Sequence, residues 1–213
     1  MKKIKFFTSV ACMLIASIAI SQNEETDNRD KFQFGLKAGL NYSNVYNSKT
    51  EEFRADAKFG FAGGAFLLIP IGKYLGVHPE ILFSQKGFKG TGSLLGFEYE
   101  FSRTTSFIDI PIQIAVKPSE FITLVAGPQY SYLLSQKDEF TSTIYSTSQK
   151  EEFENDDIRK NILGVVAGLD INIKQIVIGA RVCWDVQNNK GDGTSSTPVY
   201  KNTWFQGTVG YKF

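Results

Sequence analysis

The chain is 213 residues long, enough for one domain with a full core and crowded for two. Its formal net charge is +1, from 23 basic and 22 acidic residues, which leaves no basic surface of the kind nucleic acid needs. With 19 Gly, 18 Phe and 9 Tyr, the composition favours β structure over helix, and two cysteines exclude a disulfide framework.

The chain opens Met1-Lys2-Lys3-Ile4-Lys5 and continues apolar from Phe6 to Ile20. A basic start, an apolar core and a small-x-small exit at Ala19 and Ser21 predict a Sec signal peptide over residues 1–21, cut between Ser21 and Gln22. A retained helix needs roughly 20 apolar residues, whereas this run is shorter and holds Thr8, Ser9 and Ser17. Cys12 lies in the middle of that run, with too few apolar residues before it for a lipidation site. Cleavage removes Lys2, Lys3 and Lys5 and no acid, leaving 20 basic against 22 acidic residues. Cys183 is then the single thiol, expected to pack as a small apolar side chain. Residues 22–31 (QNEETDNRDK) read as a polar, disordered N-terminal lead-in.

From residue 32 the pattern changes to strict alternation. Phe32, Phe34, Leu36, Ala38, Leu40 and Tyr42 share one face, opposite Gln33, Gly35, Lys37, Gly39 and Asn41. The second run places Phe59, Phe61, Gly63, Ala65, Leu67 and Ile69 together. The third places Leu75, Val77, Pro79, Ile81 and Phe83 opposite Gly76, His78, Glu80 and Ser84. In the fourth, Ile108, Ile110, Ile112, Ile114 and Val116 oppose Asp109, Gln113 and Lys117. Ile122 to Leu134 is apolar on nearly both faces and is the least clear strand. Leu163 to Ile173 and Ile176 to Val186 alternate again, the latter against Gly179, Arg181, Cys183, Asp185 and Gln187. Phe205, Val209, Tyr211 and Phe213 close the chain.

These runs predict an all-β fold: an antiparallel up-and-down transmembrane β-barrel of about eight strands in meander order over residues 32–213. Connections alternate in length. Gly72-Lys73, Lys117 to Glu120 and Lys174-Gln175 are short. Ser43–Lys58, Lys86–Glu98, Ser135–Lys160 and Asn188–Asn202 are long and polar. Short periplasmic turns opposite long extracellular loops are the outer-membrane arrangement.

Alternation alone does not say which face points outward. The polar face carries Lys37, Glu80, Asp109, Lys117, Asp170, Arg181 and Asp185 among many glycines, which suits a crowded lumen where charges pair. The apolar face ends in aromatics (Phe32, Tyr42, Phe59, Phe83, Phe107, Trp184, Tyr211), expected as interfacial girdles. The closing Tyr211-Lys212-Phe213 reads as a signal for the barrel-assembly machinery, with Tyr211 and Phe213 as its aromatics. A soluble ligand-binding barrel would turn these faces the other way.

The run Tyr74 to Gly87 (YLGVHPEILFSQKG), then Ile108-Asp109-Ile110-Pro111-Ile112, Gly127-Pro128 and the closing Gly210-Tyr211-Lys212-Phe213, resembles the PorT-like outer-membrane β-barrel proteins of Bacteroidota-type bacteria. The resemblance covers about Phe32 to Phe213 and its motifs are structural. It implies the same barrel. The family's founding member is tied to export of cargo across the outer membrane.

Chemistry is sparse. His78 is the sole histidine, and with Glu80 and Ser84 it invites comparison with outer-membrane acyl hydrolases. Same-face neighbours two apart stand roughly 7 Å apart, beyond direct hydrogen-bond reach, so no catalytic residue is assigned. Lys37, His78, Glu80, Asp109, Gln113, Lys117, Arg181 and Asp185 are instead expected to form a structural luminal network. The acidic run Glu151, Glu152, Glu154, Asp156 and Asp157 matches no calcium-loop spacing and reads as a solvated external loop. Gly191-Asp192-Gly193 reads as a turn. No phosphate loop, zinc spacing or nucleophile elbow is present, and no cofactor or metal is expected.

The expected role is a structural or interaction scaffold, assisting secretion or envelope assembly through its external loops. The alternatives are a narrow pore for ions or small solutes and, third, a lipid-modifying hydrolase. Expected partners are outer-membrane lipid, the barrel-assembly machinery and envelope or secretion proteins, and not nucleic acid.

Overall fold

The computed structural model describes residues 27–47, 55–94, 97–142, 146–151, 158–191 and 199–213. The expected signal peptide, its cleavage point and Cys12 lie outside these residues. So do Glu152, Glu154, Asp156 and Asp157 of the acidic run, and Asp192-Gly193 of the expected turn.

Nine strands follow in chain order: β1 (Gln33–Asn47), β2 (Asp56–Pro70), β3 (Leu75–Leu94), β4 (Phe97–Val116), β5 (Ile122–Ser142), β6 (Ser146–Glu151), β7 (Asn161–Ile173), β8 (Ile176–Asp185) and β9 (Tyr200–Lys212). Each pairs antiparallel with its neighbour. The ring closes where β4 meets β5 and where β1 meets β9 over Gly35↔Lys212 to Asn47↔Tyr200. Eight strands make the barrel, and β6 pairs only with β5 among the described residues. Closure leaves no open edge in the wall, which matters where no water can satisfy backbone groups.

The faces are those of a membrane barrel. Along β8, Val177, Gly179, Arg181, Cys183 and Asp185 are buried in the lumen, while Ile176, Ile178, Ala180 and Trp184 face out. Leu36, Ile114, Phe205 and Val209 are all more than half exposed, whereas Lys37, Glu80, Asp109 and Arg181 are buried. A protein in water would bury the first set and expose the second. On β4 the outward isoleucines run from Ile108 to Val116. Nine residues rise roughly 30 Å along the strand, or about 23 Å along the barrel axis at a tilt near 40°, close to the apolar band of an outer-membrane barrel.

Four expectations change. The connection expected from Lys86 to Glu98 is mostly strand, because β3 runs on to Leu94 and β4 begins at Phe97. The loop expected from Ser135 to Lys160 likewise contains the end of β5 and all of β6. The outer halves of β3, β4 and β5 therefore stand beyond the apolar band as a sheet, with β6 at its side. Phe107, expected in the girdle, is inward and buried, sharing the face of Asp109 and packing on Leu133 and Ile162. Finally, residues 27–31 of the lead-in form a turn fixed to the short-turn rim rather than a disordered arm.

Two register slips shape the outer half. Between β4 and β5 the pairing passes from Ser106↔Ser135 to Phe107↔Leu133, so Leu134 is an extra residue. Inward positions on β5 change from Gln129, Ser131 and Leu133 to Gln136 and Asp138. Between β2 and β3 the slip falls between Ala57 and Ala62. A bulge of this kind bends the strand and brings successive side chains to one side.

Candidate functional site

The lumen is crossed by three layers of paired polar groups. In the layer nearest the short-turn rim, Glu80 on β3 takes Lys37 of β1 at 2.5 Å, Gln113 of β4 at 2.9 Å and Arg181 of β8 at 3.5 Å. Arg181 also grips Asp170 on β7 through both terminal nitrogens, at 2.8 and 2.9 Å. Two cations and two carboxylates thus balance across the barrel. Charges removed from water are tolerated only with such pairing. His78 stands between Glu80 (3.7 Å) and Asp170 (3.9 Å), with the Phe66 ring edge-on to it at 5.5 Å.

In the middle layer Lys86 of β3 reaches Asp109 of β4 at 3.0 Å and Ser131 of β5 at 3.3 Å. Its ammonium lies 3.7 Å from the Trp204 ring of β9 and 4.5 Å from Phe107, a desolvated cation–π contact. Asp185 receives Asn202 at 2.6 Å. Asn41 donates to Ser84 and receives from Gln206, tying β1 to β3 and β9. In the outer layer Arg103 of β4 holds Asp138 of β5 through two bonds of 2.8 and 2.6 Å, and faces Tyr200 on the opposite wall at 3.5 Å.

Of the residues singled out from sequence, Lys37, His78, Glu80, Gln113 and Arg181 come together in one layer, and Asp109 and Asp185 lie in the next. Lys117 stands apart. It is buried under the N-terminal turn at the rim, where its ammonium donates to the Arg29 carbonyl. Tyr211 and Phe213 pack edge to face at 5.2 Å, and Phe213 stacks on Phe34. His78 and Ser84 are six residues apart on β3, roughly 20 Å along the strand, and Ser84 is taken up by Asn41. Lys86, Arg103, Asp138 and Trp204 escaped the sequence reading. Lys86 and Asp138 fell in segments read as loops. Asp170 was on the polar face but was not given a partner.

The N-terminal turn latches the mouth. Arg29 donates to the carbonyls of Lys117 and Pro118 at 3.3 Å and lies over the Tyr74 ring at 5.3 Å. The β4–β5 turn joins strands that stand three and four places around the ring from β1, so residues 27–31 reach across the opening. Asp27 clamps Arg29 at 2.7 Å and takes Lys73 at 3.1 Å. Hydrogen bonds from Arg29 hold the Asp27 carboxyl well below the usual carboxylate range. Burial, with the Arg29 charge nearby, pushes Lys117 below the usual lysine range.

A closed antiparallel barrel with an apolar outside, a charge-paired lumen, short turns on one rim and long strands on the other is a bacterial outer-membrane β-barrel. The family model described as outer membrane protein beta-barrel domain matches residues 20–190, and the chain belongs to that family. An integral outer-membrane location follows, with the short turns on the periplasmic side. No curated protein matches the chain by sequence.

Among solved structures the chain is similar to Ail, the attachment invasion locus protein of Yersinia pestis, in complex with the heparin analogue sucrose octasulfate. Identity is 19% and the TM-score 0.47, over 85% of this chain and 99% of that one. It is also similar to the outer membrane protein OprG of Pseudomonas aeruginosa (11% identity, TM-score 0.42, 89% of this chain and 99% of that one). A third similar structure is the outer membrane protease OmpT of Escherichia coli (11% identity, TM-score 0.37, 85% of this chain and 96% of that one). At these identities the likeness concerns the fold.

Proposed function

We propose that this protein is a plugged outer-membrane scaffold that presents the outer halves of β3, β4 and β5, with β6, to protein partners at the cell surface. One observation carries the reading: the lumen is spanned by balanced ion pairs from facing walls, Lys37–Glu80–Arg181–Asp170 at its core, with a latched mouth beneath. An eight-stranded barrel has an interior just wide enough to be filled by side chains, and here those side chains are locked to one another. An enzyme would need a nucleophile beside its base, whereas His78 and Ser84 stand far apart. The resemblance to PorT-like proteins in Tyr74 to Gly87 favours an accessory role in secretion or envelope assembly. Insertion would use the closing Tyr211 and Phe213 as the signal to the barrel-assembly machinery, after cleavage at Ser21.

The test is a comparison of surface and secreted proteins between the parent strain, a deletion strain, and a strain whose β3–β4 and β5–β6 hairpins are cut back to the apolar band. Loss of the same proteins in both altered strains is expected. An unchanged profile in the deletion strain overturns the secretion role, and normal export with shortened hairpins overturns the part given to them.

A narrow pore is the second reading, favoured by a specific observation. Both ring nitrogens of His78, Gln113 Oε1, Asp109 Oδ2 and Asp185 Oδ1 are buried without hydrogen-bond partners among the described residues. Buried polar atoms of this sort hold ordered water, and a water file could pass protons or small ions.

A further inference from the structure

On the outside of the barrel, just above the apolar band, β4 carries two hydroxyls, Thr104 partly exposed and Ser102 buried at 8% exposure. Arg103 points into the lumen at Tyr200, so its neighbours Ser102 and Thr104 point outward. The register sets Lys89 and Glu139 on either side of Ser102, and Gly87 and Lys137 on either side of Thr104. Gly87 has no side chain, which leaves a gap in the outer surface of β3. Through it Lys58 reaches from the β2 bulge to β4, placing its ammonium 2.7 Å from Ser102 Oγ and 2.6 Å from Thr104 Oγ1.

The chemistry of that trio is one-sided. An ammonium only donates, so both hydroxyl oxygens act as acceptors for Lys58, and each hydroxyl keeps its own proton to donate. Neither hydroxyl has another hydrogen-bond partner among the described residues. Lys58 has no carboxylate within ion-pair distance among them, although Glu139 and Glu100 are within electrostatic reach. The flanking lysines are tied up in exposed pairs, Lys89 with Glu100 at 3.0 Å and Lys137 with Glu139 at 2.6 Å. With Asp56 paired to Lys89 across β2 and β3, the three lysines meet three carboxylates, and Lys58 alone of the three has no carboxylate within ion-pair distance among the described residues. A half-buried ammonium and two O–H donors therefore converge on one point of the surface.

Depth decides the ligand. Leu134, outward and exposed, marks the top of the apolar band on β5, and Thr104 is paired with Lys137 one rung further out. Phe59, next to Lys58 in sequence, is two-thirds exposed on the outer face. Lipid phosphates lie at this level, and a lysine stem can lie along apolar surface with its charge among them. We propose that Lys58, Ser102 and Thr104 form a cradle for the phosphate of a lipid headgroup in the outer leaflet. The ammonium supplies the charge and the two hydroxyls grip the non-bridging oxygens.

Folded protein in neutral detergent is titrated with short-chain phosphatidic acid, short-chain phosphatidylcholine or inorganic phosphate, and bound ligand is counted by native mass spectrometry. The expected result is at least tenfold preference for phosphatidic acid over phosphatidylcholine. Lys58→Met should abolish it. Ser102→Ala with Thr104→Val should abolish it too, although Lys58 keeps its charge. Lys137→Met should change binding less than twofold. Each variant is checked for the heat-dependent gel shift of a folded barrel. If the hydroxyl pair can be removed without effect, or the lysine variants weaken binding equally, the patch is diffuse charge and the cradle is wrong. Inorganic phosphate binding as tightly as phosphatidic acid overturns the lipid as ligand.

Discussion

Glu80→Gln is the sharpest perturbation of the lumen. The amide keeps the shape and can still receive Gln113, but it removes one of two carboxylates that face Lys37 and Arg181. Arg181 retains both bonds to Asp170, so the loss falls on Lys37, whose side chain is 4% exposed and has no other ion-pair partner among the described residues. Breaking a buried pair by removing one member costs about 3–5 kcal/mol, because the survivor stays desolvated and uncompensated. Removing both charges, in Lys37→Met with Glu80→Gln, restores neutrality and should return stability to within about 1 kcal/mol of the parent. The assay is urea unfolding in lipid vesicles, followed by the fraction of barrel that runs as the folded band on an unboiled gel. If Glu80→Gln unfolds within about 1 kcal/mol of the parent, or the double variant is no better than the single one, the lumen is not held by charge balance.

Gly39 faces Thr208 across the β1–β9 seam. A Cβ there would lie 1.9 Å from the Gly207 carbonyl oxygen and 2.7 Å from Thr208 Cα, both backbone atoms. Gly39→Val should therefore abolish the folded gel band, while Gly207→Ala, with nothing within 4 Å, should fold normally. The latch is tested by amide exchange at Lys31, whose N–H bonds the Asn28 carbonyl at 3.1 Å; Arg29→Ala should speed that exchange and leave the strands protected. Its pH dependence follows from Asp27, whose carboxyl is held below its usual range. Such a group stabilises the folded form fully above the ordinary carboxylate pKa, and the gain is lost as pH falls through the lowered value. Lys31 protection should thus hold through neutral and mildly acidic solution and fail only in strong acid, and failure near pH 5 would contradict the clamp.

The barrel wall was legible because a bilayer and a packed lumen impose opposite demands on alternate residues. Ile108 to Val116 on β4 and Ile176 to Asp185 on β8 carry that contrast at most positions, Pro111, Ala115 and Val177 being apolar residues that face inward. The outer sheet was not legible for the same reason. Above the band polar residues occupy both faces, so Lys89 to Leu94 and Gln136 to Ser142 show no alternation and read as loops. The extra residue at Leu134 further changes which parity points inward, hiding Gln136 and Asp138. Phe107 was misread because aromatics near strand ends were all assigned to the girdle, although its spacing from Asp109 puts it in the lumen. The site is legible only in part, since sequence supplies the face a charge shares but not its partner. Glu80 meets Arg181 across 101 positions of chain, and Arg103 meets Tyr200 across 97. Those meetings depend on register and closure.

The measurement that bears most directly on the plugged-scaffold reading is single-channel recording of the purified, folded protein in a planar bilayer. The paired layers and the latched mouth predict a quiet baseline with no steady openings at moderate voltage. Steady, voltage-stable openings would show that the lumen conducts, and the reading of these charges as a plug would have to be given up in favour of the pore.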